Sequence, residues 1–337
     1  MKIKKYFIIL ILFGNFHCVY SDNFDISFVK TDQCTNVNIA NEAPYLSPPS
    51  IQKFRHYGNV ILSNLFKPFH VVHDLVLNDH SPVVLHAKFD YDWVLHKDLE
   101  DEFIHAYLYE DYTKQWRYLG KFTTNSNGEV VIPMQEKLKA GDYLVRMFVE
   151  GDGSSADGLL SIVNPKHEAI VFDIDGTLTL SDFEIVKDFL SLSIASPYYY
   201  AAEVLEAYKQ KGYEIIFLTA RPYWMAAVSR EWLENILFYP PWPLKTRNSL
   251  LLREGTAQYK ANYLKELIRE NKLNIIRAYG NAMTDIEAYE LAGIAKENTF
   301  IIGPNAGKKE TVPIRQNYFN HFYEIVMPTP VASCKNN

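Results

Sequence analysis

The chain has few cysteines, no excess of positive charge and no long apolar run beyond its first residues. Three cysteines in 337 residues exclude a scaffold that depends on many disulfides. The formal net charge of −6 argues against nucleic-acid binding, and a role at a membrane surface would need a local basic patch. A hydrophobic fraction of 48% and an aromatic fraction of 14% instead indicate a globular chain, long enough for two domains.

The N-terminus has the pattern of a secretory signal peptide. A basic start at residues 1–5 precedes the apolar run 6–13, and cleavage is predicted after Ser21. The run is too short for a good membrane span, although an uncleaved anchor is the main alternative. The pattern predicts a secreted or extracytoplasmic protein with no transmembrane segment in its mature form. Cys34 and Cys334 would then remain, as a candidate disulfide pair.

The first half of the mature chain is predicted to be rich in β-structure. Residues 22–68 are irregular in pattern, whereas residues 69–165 contain short strands separated by turn signals such as Asn127-Gly128. Regular short strands of this kind favour a small β-sandwich, which ends near Pro165. The predicted strands are 83–89, 103–109, 116–122, 130–133, 141–149 and 158–163.

Residues 166–327 alternate between strands and helices, which predicts an α/β domain with a parallel sheet. Residues 328–337 are left as a C-terminal tail. The predicted strands are 169–172, 215–218, 274–279 and 299–302, and the predicted helices are 198–212, 222–237, 257–270 and 284–293, with a loop at 238–254.

Two carboxylates follow the first strand of this α/β domain. Asp173 and Asp175 are two residues apart, so in extended chain they share a face and can converge on one point. Two acids held that close repel each other unless a cation or a shared proton relieves them. Oxygen ligands at a strand end suit Mg²⁺, and the alternative is a polar strand end in a turn.

Further polar residues follow the later strands in the order Thr219, Lys260 and Asp285. Ligands of parallel α/β sheets bind beyond the carboxyl ends of the strands, where Asp173, Thr219 and Asp285 are all expected. The pattern Asp-x-Asp-x-Thr, then Thr, Lys and Asp, resembles the four motifs of the haloacid-dehalogenase-like phosphohydrolase superfamily. The resemblance covers residues 166–327.

The detailed motifs resemble the catalytic domain of lipins and the C-terminal domain of membrane-associated phosphatidylinositol transfer proteins. They are Phe-Asp-Ile-Asp-Gly-Thr, Thr-Ala-Arg-Pro and Gly-Asn-x-x-Thr-Asp-Ile-x-Ala-Tyr. The resemblance implies a Rossmann-like parallel sheet with flanking helices, preceded by the small β-sandwich. Lipins hydrolyse phosphatidic acid, and the transfer proteins bind it and lack the first Asp of the motif. This chain retains that residue as Asp173, which favours catalysis.

The resemblance also implies roles for individual residues. Asp173 would be a nucleophile that forms an aspartyl-phosphate, and Asp175 would protonate the leaving group and then activate water. Asp173, Asp175 and Asp285 would bind Mg²⁺, and Thr219 and Lys260 would hold the phosphoryl oxygens.

Each of these roles has a structural alternative. Three alternatives remain open: Thr219 as an ordinary strand residue, Lys260 as a solvated helix residue, and Asp285 as a favourable charge at a helix start. Accessory roles are open for Asn281, as a ligand or a helix cap, and for Arg221, as a contact to substrate phosphate.

The spacing of the motifs leaves no room for a large cap domain over the site. An open site suits a large or membrane-embedded substrate, and the aromatic stretches 197–200 and 238–243 are candidates to flank it. Their alternative is ordinary loop packing.

The sequence therefore predicts an Mg²⁺-dependent phosphatase for phosphatidic acid or a related lipid phosphate. The alternatives are a phosphatidic-acid-binding module with little turnover, and a scaffold whose β-sandwich is the active part. The oligomeric state is left open.

Overall fold

The computed structural model describes residues 38–91, 97–180, 195–240, 243–247 and 255–333. These residues form a mixed α/β protein, in which a β-sandwich-like N-terminal part precedes a part built on a parallel sheet. The predicted signal peptide and both Cys34 and Cys334 lie outside the described residues. Within them, no helix is long and apolar enough to cross a membrane.

The described N-terminal part contains two main sheets and the two-stranded sheet β4-β5, preceded by helices α1 (Ile39–Glu42) and α2 (Tyr57–Leu65). One sheet has the strand order β1-β3-β8 and the other the order β2-β10-β9-β6-β7. The strands are β1 (Val71–Val72), β2 (Leu75–Asn78), β3 (Val84–Lys88), β4 (Asp90–Tyr91), β5 (Lys97–Asp98), β6 (Phe103–Glu110), β7 (Gln115–Thr123), β8 (Glu129–Pro133), β9 (Gly141–Val149) and β10 (Ser155–Val163).

The predicted Asn-Gly turn is present, but it connects the two sheets, because β7 pairs with β6 and β8 pairs with β3. Gly128 has φ 67° and donates its N–H to the carbonyl of Asn125 at 2.9 Å. A Cβ at this glycine would lie 2.3 Å from the carbonyl oxygen of Phe89, so no larger residue fits without rearrangement.

The C-terminal part is a six-stranded sheet of order β13-β12-β11-β14-β15-β16, with every neighbouring pair parallel. Its strands are β11 (Glu168–Phe172), β12 (Glu214–Pro222), β13 (Leu244–Arg247), β14 (Asn274–Gly280), β15 (Thr299–Ile302) and β16 (Val312–Ile314). Its helices are α3 (Ala201–Gln210), α4 (Ala226–Ile236), α5 (Thr256–Lys265), α6 (Met283–Ala292) and α7 (Phe319–His321). Short helical turns extend α4 at its start and α5 and α7 at their ends (Tyr223–Met225, Glu266–Glu270 and Phe322–Val326).

The predicted parallel sheet is confirmed, with two more strands than the sequence indicates. β13 lies inside the segment predicted as the loop 238–254, and β16 contains Pro313. Both strands are short, and both lie at the edges of the sheet. Proline has no N–H to donate, and an edge position tolerates that loss.

Asp74 connects the two parts of the molecule. Its Oδ1 accepts hydrogen bonds from Arg230 Nη2 at 2.8 Å and from the N–H of Leu159 at 2.9 Å. Its Oδ2 accepts a third from the N–H of Leu244, at 2.7 Å. Asp74 is buried, and burial raises its pKa. A buried carboxylate with three donors fixes the start of β13 against the β-sandwich.

Candidate functional site

The candidate site lies at the carboxyl edge of the parallel sheet, where sequence reasoning places it. Asp173 directly follows β11, Thr219 and Arg221 lie near the carboxyl end of β12, and Asn281 directly follows β14. β11 lies between β12 and β14, so the three strand ends meet around Asp173. The N–H of Asp173 donates to the carbonyl of Tyr279 at 3.0 Å, which fixes its backbone to β14.

Lys260 joins two of the predicted acids. Its Nζ lies 2.6 Å from Asp173 Oδ1 and 2.6 Å from Asp285 Oδ1. All three side chains are buried, with exposed side-chain fractions of 6% or less. The alternative of Lys260 as a solvated helix residue is therefore excluded, because α5 directs its ammonium group into the site.

Burial and the neighbouring charges shift the pKa values of Asp173 and Lys260. Burial raises the pKa of Asp173 to about 7, with Lys260 opposing the rise and Asp285 and Asp175 adding to it. Burial disfavours the charged form of Lys260, but Asp173 and Asp285 outweigh that effect and raise its pKa above the usual range. Lys260 is therefore a permanent cation between two acids.

Asp285 is fixed by the start of α6. Its Oδ2 accepts the backbone N–H groups of Asn281 and Ala282, at 3.1 and 3.0 Å. A carboxylate in the first turn of a helix also interacts favourably with the helix dipole. Asp285 thus caps the helix through one oxygen, as one of its two interpretations predicts, and contacts Lys260 through the other, while its role as a metal ligand stays a prediction.

Gly280 permits this arrangement by close approach, which gives a testable prediction. A Cβ at Gly280 would lie 2.6 Å from the Cβ of Asp285, a separation that side chains do not tolerate. Gly280→Ala is therefore expected to displace Asp285 from Lys260 and to lower the free energy of unfolding by about 1–3 kcal/mol. Chemical denaturation measures the loss. Gly58→Ala is the control, since a Cβ there meets nothing within 4 Å, and an unchanged stability in both variants would contradict the close approach.

Asp175 interacts with Arg221. Arg221 Nη2 donates to Asp175 Oδ1 at 2.6 Å and Nε donates to Oδ2 at 3.0 Å, a two-point contact. Arg221 Nη1 donates to Ser229 Oγ at 2.8 Å, and Ser229 in turn donates to the carbonyl of Met225. The start of α4 therefore orients the guanidinium, and Arg221 contacts an acid of the site.

Two threonines support the acids. Thr219 Oγ1 lies 3.3 Å from Asp175 Oδ2 and accepts the N–H of Arg221 at 3.2 Å. Thr177 Oγ1 donates to Asp173 Oδ2 at 3.0 Å and lies 3.4 Å from Asn281 Oδ1. Sequence reasoning assigned no role to Thr177, although it is the threonine of the Asp-x-Asp-x-Thr pattern. A hydroxyl two residues after Asp175 was the available signal.

A cleft of about 200 Å³ opens between these side chains. Its walls include Asp173, Asp175, Arg221, Lys260 and Asp285. Thr219 is completely buried beneath it. Three carboxylates and two cations leave the ionised cluster with one net negative charge. Within the described part of the chain, no group of three or more His, Cys, Asp or Glu side chains is arranged around a common metal position.

The two predicted aromatic stretches lie at opposite edges of the sheet. Tyr199 and Tyr200 precede α3, at the edge where β11 ends, whereas Phe238 follows α4 and precedes β13, at the edge where the strands begin. The prediction that both stretches flank the site is therefore wrong for the described residues of the second stretch, 238–240 and 243, because α4 runs the length of the sheet between Arg221 and Phe238. Trp242 lies outside the described residues.

Comparison with known proteins gives matches to both parts of the chain. Residues 68–162 match the family model described as the beta-sandwich domain of PITM 1-3, and residues 170–303 match the LNS2 domain of PITM 1-3. The chain has the LNS2 organisation of the membrane-associated phosphatidylinositol transfer proteins. The LNS2 match contains every residue of the candidate site.

The curated relatives share this organisation over part of their length. Membrane-associated phosphatidylinositol transfer protein 1 of Rattus norvegicus is 30% identical over 239 residues, which is 69% of this chain and 18% of the rat protein. Protein retinal degeneration B of Drosophila melanogaster is 29% identical, and the match covers 18% of the length of that protein. The human transfer protein 3 is 27% identical over 88% of this chain and is covered to 30%. The chain thus spans less than a third of the length of these relatives.

The comparison corrects the predicted location. A secreted or extracytoplasmic protein was expected from the basic start and the apolar run 6–13, but the rat and human relatives are named as membrane-associated. The expectation of secretion is therefore wrong. Its basis was narrow, since a short apolar run after lysines is a compositional pattern and those residues lie outside the described part of the chain.

Proposed function

We propose that this chain binds a phosphorylated lipid, of the phosphatidic acid class, through its cleft at the carboxyl edge of the sheet. The convergence of Asp173, Asp175, Arg221, Lys260 and Asp285 within the LNS2 region carries this proposal. Relatives with the same organisation are named for phosphatidylinositol transfer, which supports a lipid ligand. The short spacing of the motifs along the sequence, which leaves no room for a large cap domain, supports a headgroup at a membrane as the ligand.

The charge of the cleft indicates how a phosphate headgroup would enter. The ionised cluster carries one net negative charge, so a phosphate monoester that approaches it alone is repelled. A divalent cation that enters with the headgroup reverses the sign of the local charge. Carboxylate oxygens of Asp173 and Asp285, with the backbone carbonyl of Asp175, are the donor type that Mg²⁺ prefers, so the residues fit this ion in their chemistry.

Arg221 is the residue that would have to move for the carboxyl group of Asp175 to face a bound phosphate. It contacts both carboxylate oxygens of Asp175, whereas Asp173 and Asp285 share a single ammonium group. Mg²⁺ held by these three residues would neutralise charge on the phosphate. Released from Asp175, Arg221 would be able to donate to the phosphate oxygens, because its guanidinium matches a phosphate at two points.

Hydrolysis of the bound ester is the second candidate function, and Asp173 favours it. We infer a haloacid-dehalogenase-like arrangement, in which Asp173 attacks phosphorus, the ester bond breaks and Asp175 gives a proton to the leaving oxygen. Asp175 then takes a proton from water, which attacks the phosphorus of the aspartyl-phosphate, so that the acyl-phosphate bond breaks, inorganic phosphate leaves and both Asp173 and Asp175 are restored. Lys260 and Thr177 orient the attacking carboxylate through contacts of 2.6 and 3.0 Å.

An exposed aromatic patch beside the cleft is suited to a membrane surface. We define it as Tyr199, Tyr200, Phe319 and Tyr323. The rings of Tyr200 and Phe319 are 4.9 Å apart and those of Phe319 and Tyr323 are 5.1 Å apart, and Tyr199 is 62% exposed. The neighbouring Tyr318 donates to the carbonyl of Thr177 at 3.0 Å, which joins the patch to the turn that follows Asp173. Aromatic side chains of this kind concentrate at the membrane–water interface.

The aromatic patch yields a prediction with an internal control. Replacement of both Tyr199 and Phe319 with Ala is expected to lower affinity for phosphatidic acid vesicles about 10- to 30-fold, since each ring contributes on the order of 1 kcal/mol. Binding of a soluble headgroup should not change. Phe238→Ala is the matched control, because this ring is 82% exposed but lies at the opposite edge of the sheet. Equal losses in the two variants would exclude the patch as the membrane contact.

Vesicle binding tests the proposed function itself. Vesicles with phosphatidic acid and vesicles with phosphatidylserine, at equal surface charge, are incubated with the chain in Mg²⁺ or in EDTA and then sedimented. We expect preferential binding to phosphatidic acid, and we expect EDTA to remove the preference. Equal binding to the two lipids would reduce the interaction to non-specific charge attraction and contradict the proposal.

A further inference from the structure

A second cavity, of about 280 Å³, lies at the junction between the β-sandwich and the parallel sheet. Its polar walls are His73, His86, Lys245 and Glu266, and aliphatic side chains of β2 and β3 complete it. We call it the junction cavity. None of these residues lines the cleft that contains Asp173, so the junction cavity is separate from the site described above.

Lys245 is the cation of this cavity. It lies in the edge strand β13, and its Nζ is 4.8 Å from the centroid of the Tyr263 ring. Among the residues that the structure describes, the ammonium group of Lys245 forms no hydrogen bond and no ion pair, and Glu266 and Asp74 act on it only from a distance. Burial lowers the pKa of Lys245. The half-buried ammonium group therefore has three N–H donors available for a ligand that enters the cavity.

The two histidines face the same space. His73 donates its backbone N–H to the carbonyl of His86 at 2.9 Å, so the two imidazoles lie on neighbouring chain segments. Burial lowers the pKa of His73 to about 3, and the charges of Lys245, His86 and Arg230 add to that shift. His73 is therefore neutral near pH 7, and Lys245 is the cation of the cavity with which an anion would pair.

We propose that the junction cavity binds a small hydroxylated phosphate ester. Lys245 and the imidazoles of His73 and His86 supply donors for a tetrahedral oxyanion, which accepts several hydrogen bonds at once. Glu266 is the one acid in the wall, and it is suited to accept a hydrogen bond from a hydroxyl group of the ester. The same carboxylate disfavours a second anionic group, which restricts the ligand to a single phosphate.

A bound phosphate ester would also join the two parts of the molecule. His73 and His86 belong to the β-sandwich-like part and Lys245 and Glu266 to the α/β part. The ligand would thus add a contact beside Asp74, which already connects β13 to the β-sandwich through three hydrogen bonds. Binding is expected to raise the midpoint of thermal unfolding by mass action.

Titration calorimetry with glycerol 3-phosphate, in EDTA, tests the junction cavity. Lys245→Met keeps the side-chain volume but removes the ammonium group, and it is expected to weaken binding about 10- to 100-fold. Glu266→Gln removes a like charge and is expected to strengthen binding of inorganic phosphate a few-fold. Lys139→Met, at an exposed lysine that does not line the cavity, is the control.

The two variants are expected to act in opposite directions, which a loss of folding would not produce. Circular dichroism confirms that each variant retains the unmodified fold. Absence of heat with the unmodified chain at millimolar glycerol 3-phosphate would overturn the proposal. Unchanged binding in Lys245→Met, or weaker phosphate binding in Glu266→Gln, would overturn it as well.

Discussion

Asp173→Asn is expected to release phosphate from phosphatidic acid at least ~10³-fold more slowly than the unmodified chain. The side chain keeps its shape: its amide oxygen can still accept from Lys260, and its amide nitrogen can donate to the hydroxyl of Thr177, in place of the contacts of 2.6 and 3.0 Å that Asp173 now makes. A carboxamide, however, cannot serve as the nucleophile that forms an acyl-phosphate. Release of inorganic phosphate from vesicles in Mg²⁺ measures the effect.

Lipid binding separates this result from a structural defect. Asp173→Asn should retain measurable binding to phosphatidic acid vesicles in Mg²⁺, because its amide oxygen, Asp175 and Asp285 all remain as oxygen ligands for the ion. Asp111→Asn, which changes an acid of the β-sandwich part, should leave the rate of phosphate release and the affinity for vesicles unchanged. Equal phosphate release from Asp173→Asn and the unmodified chain would remove Asp173 from the nucleophile role. No release from the unmodified chain would contradict hydrolysis and leave binding as the function.

Lys260→Met is expected to lower the free energy of unfolding by about 3–5 kcal/mol, the usual cost of removing one partner from a buried ion pair. Methionine retains most of the side-chain volume, so the loss reports on charge. Without the ammonium group, Asp173 and Asp285 face each other in a buried site, where only 6% and 1% of their side chains are exposed. Both carboxyl groups would then favour the protonated form.

The pH dependence of this variant identifies the cause. A carboxyl group with a raised pKa binds more protons in the folded state than in the unfolded state, so stability increases as the pH falls. The loss in Lys260→Met should therefore be larger at pH 8 than at pH 5. Chemical denaturation at the two pH values measures it, with Lys265→Met on the same helix as the control. A loss that does not change with pH would mean that packing, and not charge, is responsible.

Much of the parallel sheet is predictable from the sequence because its central strands are largely apolar segments between helical patterns. Residues 169–172, 215–218 and 274–279 are each followed by a polar residue or a glycine, and each becomes a strand of the sheet. β13 and β16 are not predicted, because β13 alternates between apolar and polar residues and β16 contains a proline. Pairing with the neighbouring strand holds both segments extended. Their position depends on tertiary contacts, such as the hydrogen bond from Leu244 to Asp74.

The candidate site is predictable to the level of its residues, but not of its contacts. The position of Asp173, Thr219 and Asp285 follows from the rule that parallel strands end at one edge. The two-point contact between Arg221 and Asp175 cannot be predicted from the sequence, since it depends on the start of α4 and on Ser229. The prediction that the stretch 238–243 flanks the site does not hold for its described residues. Sequence distance does not indicate at which edge of a sheet a loop lies.

The most direct test of lipid-phosphate binding at the cleft uses short-chain phosphatidic acid below its micellar concentration, which removes the membrane from the measurement. Calorimetric titration in Mg²⁺ should give saturable binding with one ligand per chain. Gly280→Ala, which displaces Asp285, should weaken that binding at least tenfold, and the Tyr199→Ala and Phe319→Ala double variant should not. Absence of saturable binding, or unchanged affinity in Gly280→Ala, would contradict the cleft as the site of lipid-phosphate recognition.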